Sequence, residues 1–335
     1  MELNTLSLAQ FTRLANVIFE KMKMAVEAVA RNSGIWQVES IPANSGDVRD
    51  YQEIDRDLYA RNKNESDQAV RAKVVAGYNK NVRLKRIAKD IGVSYEMRKF
   101  NKYPEVINAL TALAQDAVNR QELDLQHRIG FGAAVSYVDM DGAVVDTTAG
   151  DLLALFSTVH TLTNSATTYR NRLAGNPILS KGALEGIERL GIEEQLNNHG
   201  EKIVNKFDIL WTTDDPATVN TALEYLQSVA APDFANSGVS NVYKAKYKHV
   251  KLPLVATTAA GAVDASKRRY WGIASSMNSD MHLAVWDEPF LKSPSALNAG
   301  EEFSTDDWNF GVRCGYGIGA VTGRNILLSS GDAAA

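Results

Sequence analysis

Phe11, Leu14, Ile18, Met22, Ala25 and Val29 fall three or four residues apart. That is the spacing of one helical face, and it predicts an amphipathic helix over residues 7–31. Ser7 and Gln10 form a capping box at its start, and Gly34 suits its stop. The residues that follow offer no obvious cover for this stripe, so it docks either on the chain's own core or on a neighbouring subunit. Residues 35–67 lack periodicity and gather the acids Asp47, Asp50, Glu53, Asp55 and Asp57; they read as an extended arm with short helical pieces. Val82 and Leu84 then alternate with Asn81, Arg83 and Lys85. Ile91, Val93, Tyr95 and Met97 alternate with Gly92, Ser94, Glu96 and Arg98. Alternation of this kind marks half-buried strands, here a long hairpin turning at Ala88 to Asp90.

Pro104 fits the first turn of the next helix. Val106, Leu110, Leu113, Ala117, Leu125 and Ile129 mark its apolar side, over about 25 residues or ~37 Å. Gly130 and Gly132 close it. Ala134 to Asp146 reads as a hairpin with Asp141-Gly142 at the turn. Beyond it helices and strands mix. Ser180–Leu190 and the stretch from Asp215-Pro216 to Leu226 are helical, and Ala231–Asn241 is a Gly/Ser/Asn loop. Residues 244–254, 269–274 and 282–286 read as strands. The clearest strand is the last: Phe310, Val312, Cys314, Tyr316, Ile318 and Ala320 alternate with Gly311, Arg313, Gly315, Gly317 and Gly319. A face of bare glycine weakens a strand, so something must approach it closely.

Charge adds a second pattern. Arg71 to Lys102 holds ten Lys/Arg against Asp90 and Glu96, a net of +8, while the whole chain of 335 residues carries −4. The remainder therefore carries −12. Such a split can be satisfied between copies of one chain. Lys80, Arg83, Lys85, Arg86 and Lys89 on one side, and Asp47, Asp50, Asp55 and Asp57 on the other, are the candidate intersubunit contacts. The composition, 45% hydrophobic and 23% charged, is that of a globular chain of one elaborate domain or two. No apolar run reaches the ~18 residues of a membrane span, and Met1 to Gln10 lack a signal-peptide pattern. A cytoplasmic setting is expected.

Tests for chemistry give little. The single cysteine, Cys314, allows no disulfide framework or cysteine-rich metal site; it reads as a small buried hydrophobe. His127, His160, His199, His249 and His282 show no metal-ligand spacing and read as surface or packing residues. Asp139-Met-Asp141-Gly142 starts like a calcium loop, but Val144 and Gly150 occupy the positions that need Gly and Glu. Gly317-Ile-Gly319-Ala-Val-Thr-Gly323 superficially matches a dinucleotide fingerprint. That fingerprint needs a following helix and an acid about 20 residues on, and twelve residues follow Gly323. The Asp47–Asp57 cluster lacks the apolar surroundings of a catalytic carboxylate pair. The basic hairpin could grip phosphate, but Tyr78, Tyr95 and Phe100 are too few for a stacking platform. No catalytic, cofactor or metal site is expected.

The order of helical arm, charged hairpin, long helix, mixed region and final strand resembles the major capsid protein of tailed bacteriophages, of the Hong Kong 97-type fold. Phe156-Ser157-Thr158-Val159-His160 is similar to the Phe-Ser-x-x-His phrase of Mu-like head subunits. Trp308-Asn-Phe-Gly-Val-Arg-Cys-Gly-Tyr-Gly317 resembles the aromatic last strand of capsid proteins. The resemblance implies an α+β fold with an N-terminal arm (1–68), an E-loop (69–101), a peripheral domain with a spine helix (102–172), an axial domain (173–287) and a return to the peripheral domain (288–335). It implies a structural subunit, not an enzyme, that forms hexamers and pentamers around double-stranded DNA in a virion assembled in the bacterial cytoplasm. Implied partners are copies of itself, a portal, a separate scaffolding protein and decoration proteins, with no membrane. An encapsulin-like compartment shell shares that fold and is the rival reading; a nucleotide-binding enzyme and a nucleic-acid-binding module are others.

Overall fold

The computed structural model describes residues 8–25, 28–42, 45–100, 103–230, 240–277, 279–293 and 307–332. Helix α1 (Leu8–Ala25) lies against the long α3 (Tyr103–Gly130) of the same chain. Ala15 packs with Val106, Leu110 and Phe310, and Phe19 with Leu113, Ala117 and Val312. The buried line of α1 thus runs through Ala15 and Phe19, one position round from Leu14, Ile18 and Met22, which are only partly buried. Ser7 of the expected capping box lies outside the described residues.

The N-terminal half of α3 is amphipathic, as its stripe predicts. Its C-terminal half is buried nearly all round, and Gln121, Glu122, Asp124, Gln126 and His127 go with it. Buried polar groups need partners, and all of these find at least one, although Gln121 Nε2 has none among the described residues. Glu122 accepts from the backbone N–H of Ala30 (2.7 Å) and Arg31 (3.0 Å). Gln126 accepts from Leu254 N (2.7 Å). Burial pushes the His127 imidazole down to about 4, so it packs as a neutral ring against Thr257. The helix is a strut joining both halves of the molecule.

Strands β1 (Gln37–Ser40), β2 (Val48–Arg56), β3 (Val74–Arg83) and β4 (Lys85–Val93) precede the short α2 (Tyr95–Lys99) and α3. Two expectations fail here. Residues 35–67 contain strands and, among the described residues, no helix. Ala88 to Asp90 is no turn but the middle of β4. The alternating basic stretch breaks at Leu84, and its halves take different partners. β3 pairs antiparallel with β2, Lys80 opposite Tyr51, while β4 pairs antiparallel with the last strand, β11 (Trp308–Ala320). β2 and β3 form a two-stranded ribbon.

The hairpin β5 (Ser136–Val138) and β6 (Val144–Asp146) turns at Gly142, whose φ of +79° suits glycine. Helix α4 (Lys181–Glu193) is capped by Ser180, and α5 (Pro216–Gln227) by Asp215 with Pro216 in its first turn. Strand β7 (Ile209–Thr212) lies between β8 (Lys248–Lys251) and β9 (Trp271–Ala274). The strand expected at 244–254 is thus shorter, and Pro253–Ala256 makes a 3-10 turn instead. Residues 231–239 of the expected loop lie outside the described residues. β7 is covered on both faces. Ile209 and Trp211 enter the core shared with α3, while Leu210 enters the core of α4 and α5.

A four-stranded sheet runs β1-β10-β11-β4, where β10 is Met281–Lys292. The apolar face of β11 is buried, with Tyr316 and Ile318 in the core that α3 shares. Its glycine face is covered closely. A Cβ on Gly317 would lie 2.8 Å from Val82 Cγ1 and 2.9 Å from Arg83 O; on Gly315 it would meet the Trp286 indole. The close approach expected of the glycines comes from the end of β3 and a neighbouring indole. The same observation corrects the dinucleotide reading. Gly317 and Gly319 sit within a strand with Val82 seated on them, and no helix follows among the described residues.

Candidate functional site

The residues with the most unusual surroundings lie along the β2–β3 ribbon. Its inner face carries Tyr51 and the acids Glu53 and Asp55, all half-buried, while Ile54 is 73% exposed. Glu53 pairs with Arg324, whose other nitrogen donates to Asn198 Oδ1 (3.3 Å). Asp55 accepts from Asn198 N (2.7 Å), and Glu201 accepts from Leu58 N (2.8 Å). Across the ribbon, a Cβ on Gly77 would strike the Glu53 carboxylate, so glycine lets β3 close over this cluster. Tyr78 hydrogen-bonds Thr161 (2.6 Å). The ribbon is therefore tied along its inner face to the rest of its own chain. Its outer face presents Ile54, Arg56, Val74 and Ala76, and residues 58–74 at its tip are exposed without exception.

The basic candidates divide. Lys80 is buried and donates to Asp146 (2.7 Å) and Thr148 (2.8 Å). Burial raises the Asp146 pKa, but these hydrogen bonds outweigh it and hold the carboxyl below its usual range. Lys85 lies 2.7 Å from Asp124, and Lys89 pairs with Asp116. Arg83 and Arg86 are exposed and form no ion pair among the described residues. Of the acids, Asp57 accepts from Lys73 N (3.0 Å) and Asp55 serves the cluster above. Asp47 and Asp50 are exposed. Three of the five cations thus find their acids within one chain.

Asp124, in the C-terminal half of α3, is the best-connected of these acids. It accepts from the Tyr316 hydroxyl (2.6 Å) and from Lys85, with Arg120 Nε 3.3 Å away. Burial opposes its ionisation, but the charges and hydrogen bonds win and hold its pKa below the usual value. Asp124→Ala is expected to cost roughly 3–5 kcal/mol, because Tyr316 loses its acceptor and Lys85 and Arg120 lose an ion-pair partner inside the protein. Urea unfolding measures this; a loss below about 1 kcal/mol would show water replacing the carboxylate.

No family model matches the sequence, and no curated protein matches it. Solved structures do. The Cyanophage Pam1 capsid is 12% identical, over 89% of this chain and 89% of that chain, with a TM-score of 0.49. The capsid of the Cyanophage P-SCSP1u is 10% identical, over 88% and 85%, also at 0.49. The virus-like particle from Pyrococcus furiosus is 10% identical, over 95% and 99%, at 0.47.

Sequence reasoning missed Glu53 as an anchor and missed Arg324 and Asn198 altogether. A charged residue inside the segment 321–330, whose residues are all buried, was the available sign: buried Arg is almost always paired. His160 was legible as a packing residue. It is fully buried, donates from Nδ1 to the Asp151 carboxylate (2.8 Å) and stacks on Tyr169. This ties the two ends of the loop over residues 151–169.

Proposed function

We propose that this chain is the structural subunit of an icosahedral shell, of the tailed-phage major capsid type with the Hong Kong 97-type fold. The observation that carries this reading is the ribbon. Its inner face is fixed to its own chain by a buried ion cluster, while its outer face and the residues of its tip are exposed. A long exposed ribbon with Ile54, Leu58, Tyr59, Val70 and Val74 on its surface serves no monomer, since its apolar groups need a second molecule. In this reading the ribbon, residues 48–83, is the extended loop that lies on the adjacent subunit, in place of the 69–101 expected from the sequence, because β4 pairs with β11 within the sheet and β2 pairs with β3; α3 is the spine. The region around β7, α4 and α5 is the axial unit, and β11 is the return strand. Hexamers and pentamers would enclose double-stranded DNA, with portal, scaffolding and decoration proteins as further partners, in a virion assembled in the bacterial cytoplasm.

Purified full-length chain, with scaffolding partner if required, is expected to form rings or megadalton particles on sizing and in negative-stain micrographs. A monomer persisting across salt, pH and crowding would overturn the reading. Particles filled with an enzyme instead of DNA would move it to an encapsulin-like compartment. The free cations give a sharper test. Arg83→Glu with Arg86→Glu is expected to block assembly and leave the melting temperature unchanged. Exposed charges contribute about 0–1 kcal/mol per pair to a fold, whereas like charges facing each other across an interface cost several kcal/mol. Lys85 is left intact in this variant because a carboxylate there would face Asp124. Normal shells from the double variant would remove these arginines from the interface.

A further inference from the structure

A cavity of about 470 Å³ lies between the base of the ribbon, α3 and the β5–β6 hairpin. Arg128, from the last turn of α3, lines it. Arg128 is partly buried and makes no hydrogen bond or ion pair among the described residues. This is unusual: a guanidinium carries five N–H donors in a fixed fork, and one partly withdrawn from water normally has a carboxylate against it. The acids nearby are already engaged. Asp146 receives Lys80 and Thr148, Asp124 receives Lys85 and Tyr316, and Asp139 receives Arg120. Desolvation pushes the Arg128 pKa down, against the raising effect of Tyr137, Asp124 and Asp146. The carbonyl end of α3 offsets only part of the guanidinium charge.

A second observation points to the same place. Arg128 also lines a small void behind the cavity, together with Trp36, Thr147 and Thr148. Trp36 is 4% exposed and its indole N–H has no acceptor. Arg128 and Trp36, each carrying a donor without an acceptor among the described residues, thus line the same small void beside the cavity. Tyr137 adds a hydroxyl at the cavity wall, and its phenol stays protonated, pushed up to about 12 by burial.

We propose that this cavity is a binding site for one small oxyanion, of phosphate or carboxylate type, held by the Arg128 fork. Guanidinium and oxyanion match in a two-bond geometry that chloride cannot reproduce. The wall holds four cations, Lys80, Arg83, Lys85 and Arg128, against three acids, Asp124, Asp139 and Asp146, so one negative charge balances it. Lys80, Val82 and Arg83 of β3 form one wall and the β5–β6 hairpin another, so an occupied site fastens the base of the ribbon. This inference does not depend on the shell reading.

The test uses purified full-length chain in sodium phosphate, sodium acetate and sodium chloride at equal ionic strength. Phosphate or acetate is expected to raise the melting temperature above the chloride control and to slow backbone hydrogen exchange at residues 80–85 and 144–148. Arg128→Met is expected to lose that increment while melting in chloride at or above the wild-type temperature, because it removes an unpaired charge. A residue with a merely structural ion pair would instead destabilise the protein when truncated. Arg128→Lys is expected to keep less than half of the increment. Equal melting and exchange of the wild type in all three salts would overturn the proposal, as would an increment that survives in Arg128→Met. Should Arg128→Met fail to fold, the exchange measurement on the wild type decides alone.

Discussion

Gly317→Val is expected to leave the chain insoluble or unfolded rather than folded but unable to assemble. The added Cβ would stand 2.8 Å from Val82 Cγ1, 2.9 Å from Arg83 O and 3.0 Å from Leu84 Cδ2. A side chain can rotate away, but the Arg83 carbonyl is backbone at the point where β3 passes into β4. Overpacking of this kind typically costs ~1–3 kcal/mol, and valine's two further methyl groups press on the same layer. Gly317→Ala is the graded version and should fold with a lowered melting temperature. Adding Val82→Ala to Gly317→Ala should recover part of that loss by removing the movable contact. Solubility and thermal melting of the three variants provide the check. A soluble Gly317→Val with unchanged melting would mean that the end of β3 lifts off β11 in solution.

Ile54→Asp combined with Val74→Asp is expected to abolish shells and rings without touching the subunit's stability. Both side chains stand on the outer face of the ribbon, 73% and 66% exposed, and Arg56 lies opposite Val74. Substitutions at such positions usually change a fold by within ~0.5 kcal/mol. Across an interface the sign is different. Full burial of an Ile or Val contributes roughly 1.5–3 kcal/mol, the charged replacement adds a desolvation cost, and the loss recurs in every copy around a ring. Size-exclusion profiles of the variant and wild type, beside matching circular dichroism and melting curves, measure both halves of the expectation. Normal particles from the variant would show that the outer face points to solvent. The exposed pair Arg83 and Arg86 would then become the first place to look for the contact.

The elements that the sequence determined by itself are those whose causes are local. The Ser180 cap, the Asp215-Pro216 start and the Asp141-Gly142 turn each act over two to four residues, and all three are found. The stripe of α3 and the alternation of β11 needed only a regular period. The glycine face of β11 was also legible, because a missing side chain implies a close neighbour whatever that neighbour is. What covers it was not: Val82 lies more than two hundred positions away. β7 escaped because both its faces are buried, so Ile209-Leu210-Trp211 shows no alternation to detect.

Tertiary structure alone decided the ribbon. The acids Glu53 and Asp55 point inward and Ile54 outward, the reverse of the usual pattern, because the inner face meets Arg324 and Asn198 rather than an apolar core. It also decided where the charges go. A basic stretch and an acidic remainder are visible in a sequence, but which acid meets Lys80, Lys85 or Lys89 is set by α3 and the β5–β6 hairpin coming alongside. Charge pairing acts through space and carries no period along the chain. The intrachain pairs therefore had to be subtracted before Arg83, Arg86 and the unpaired Arg128 stood out.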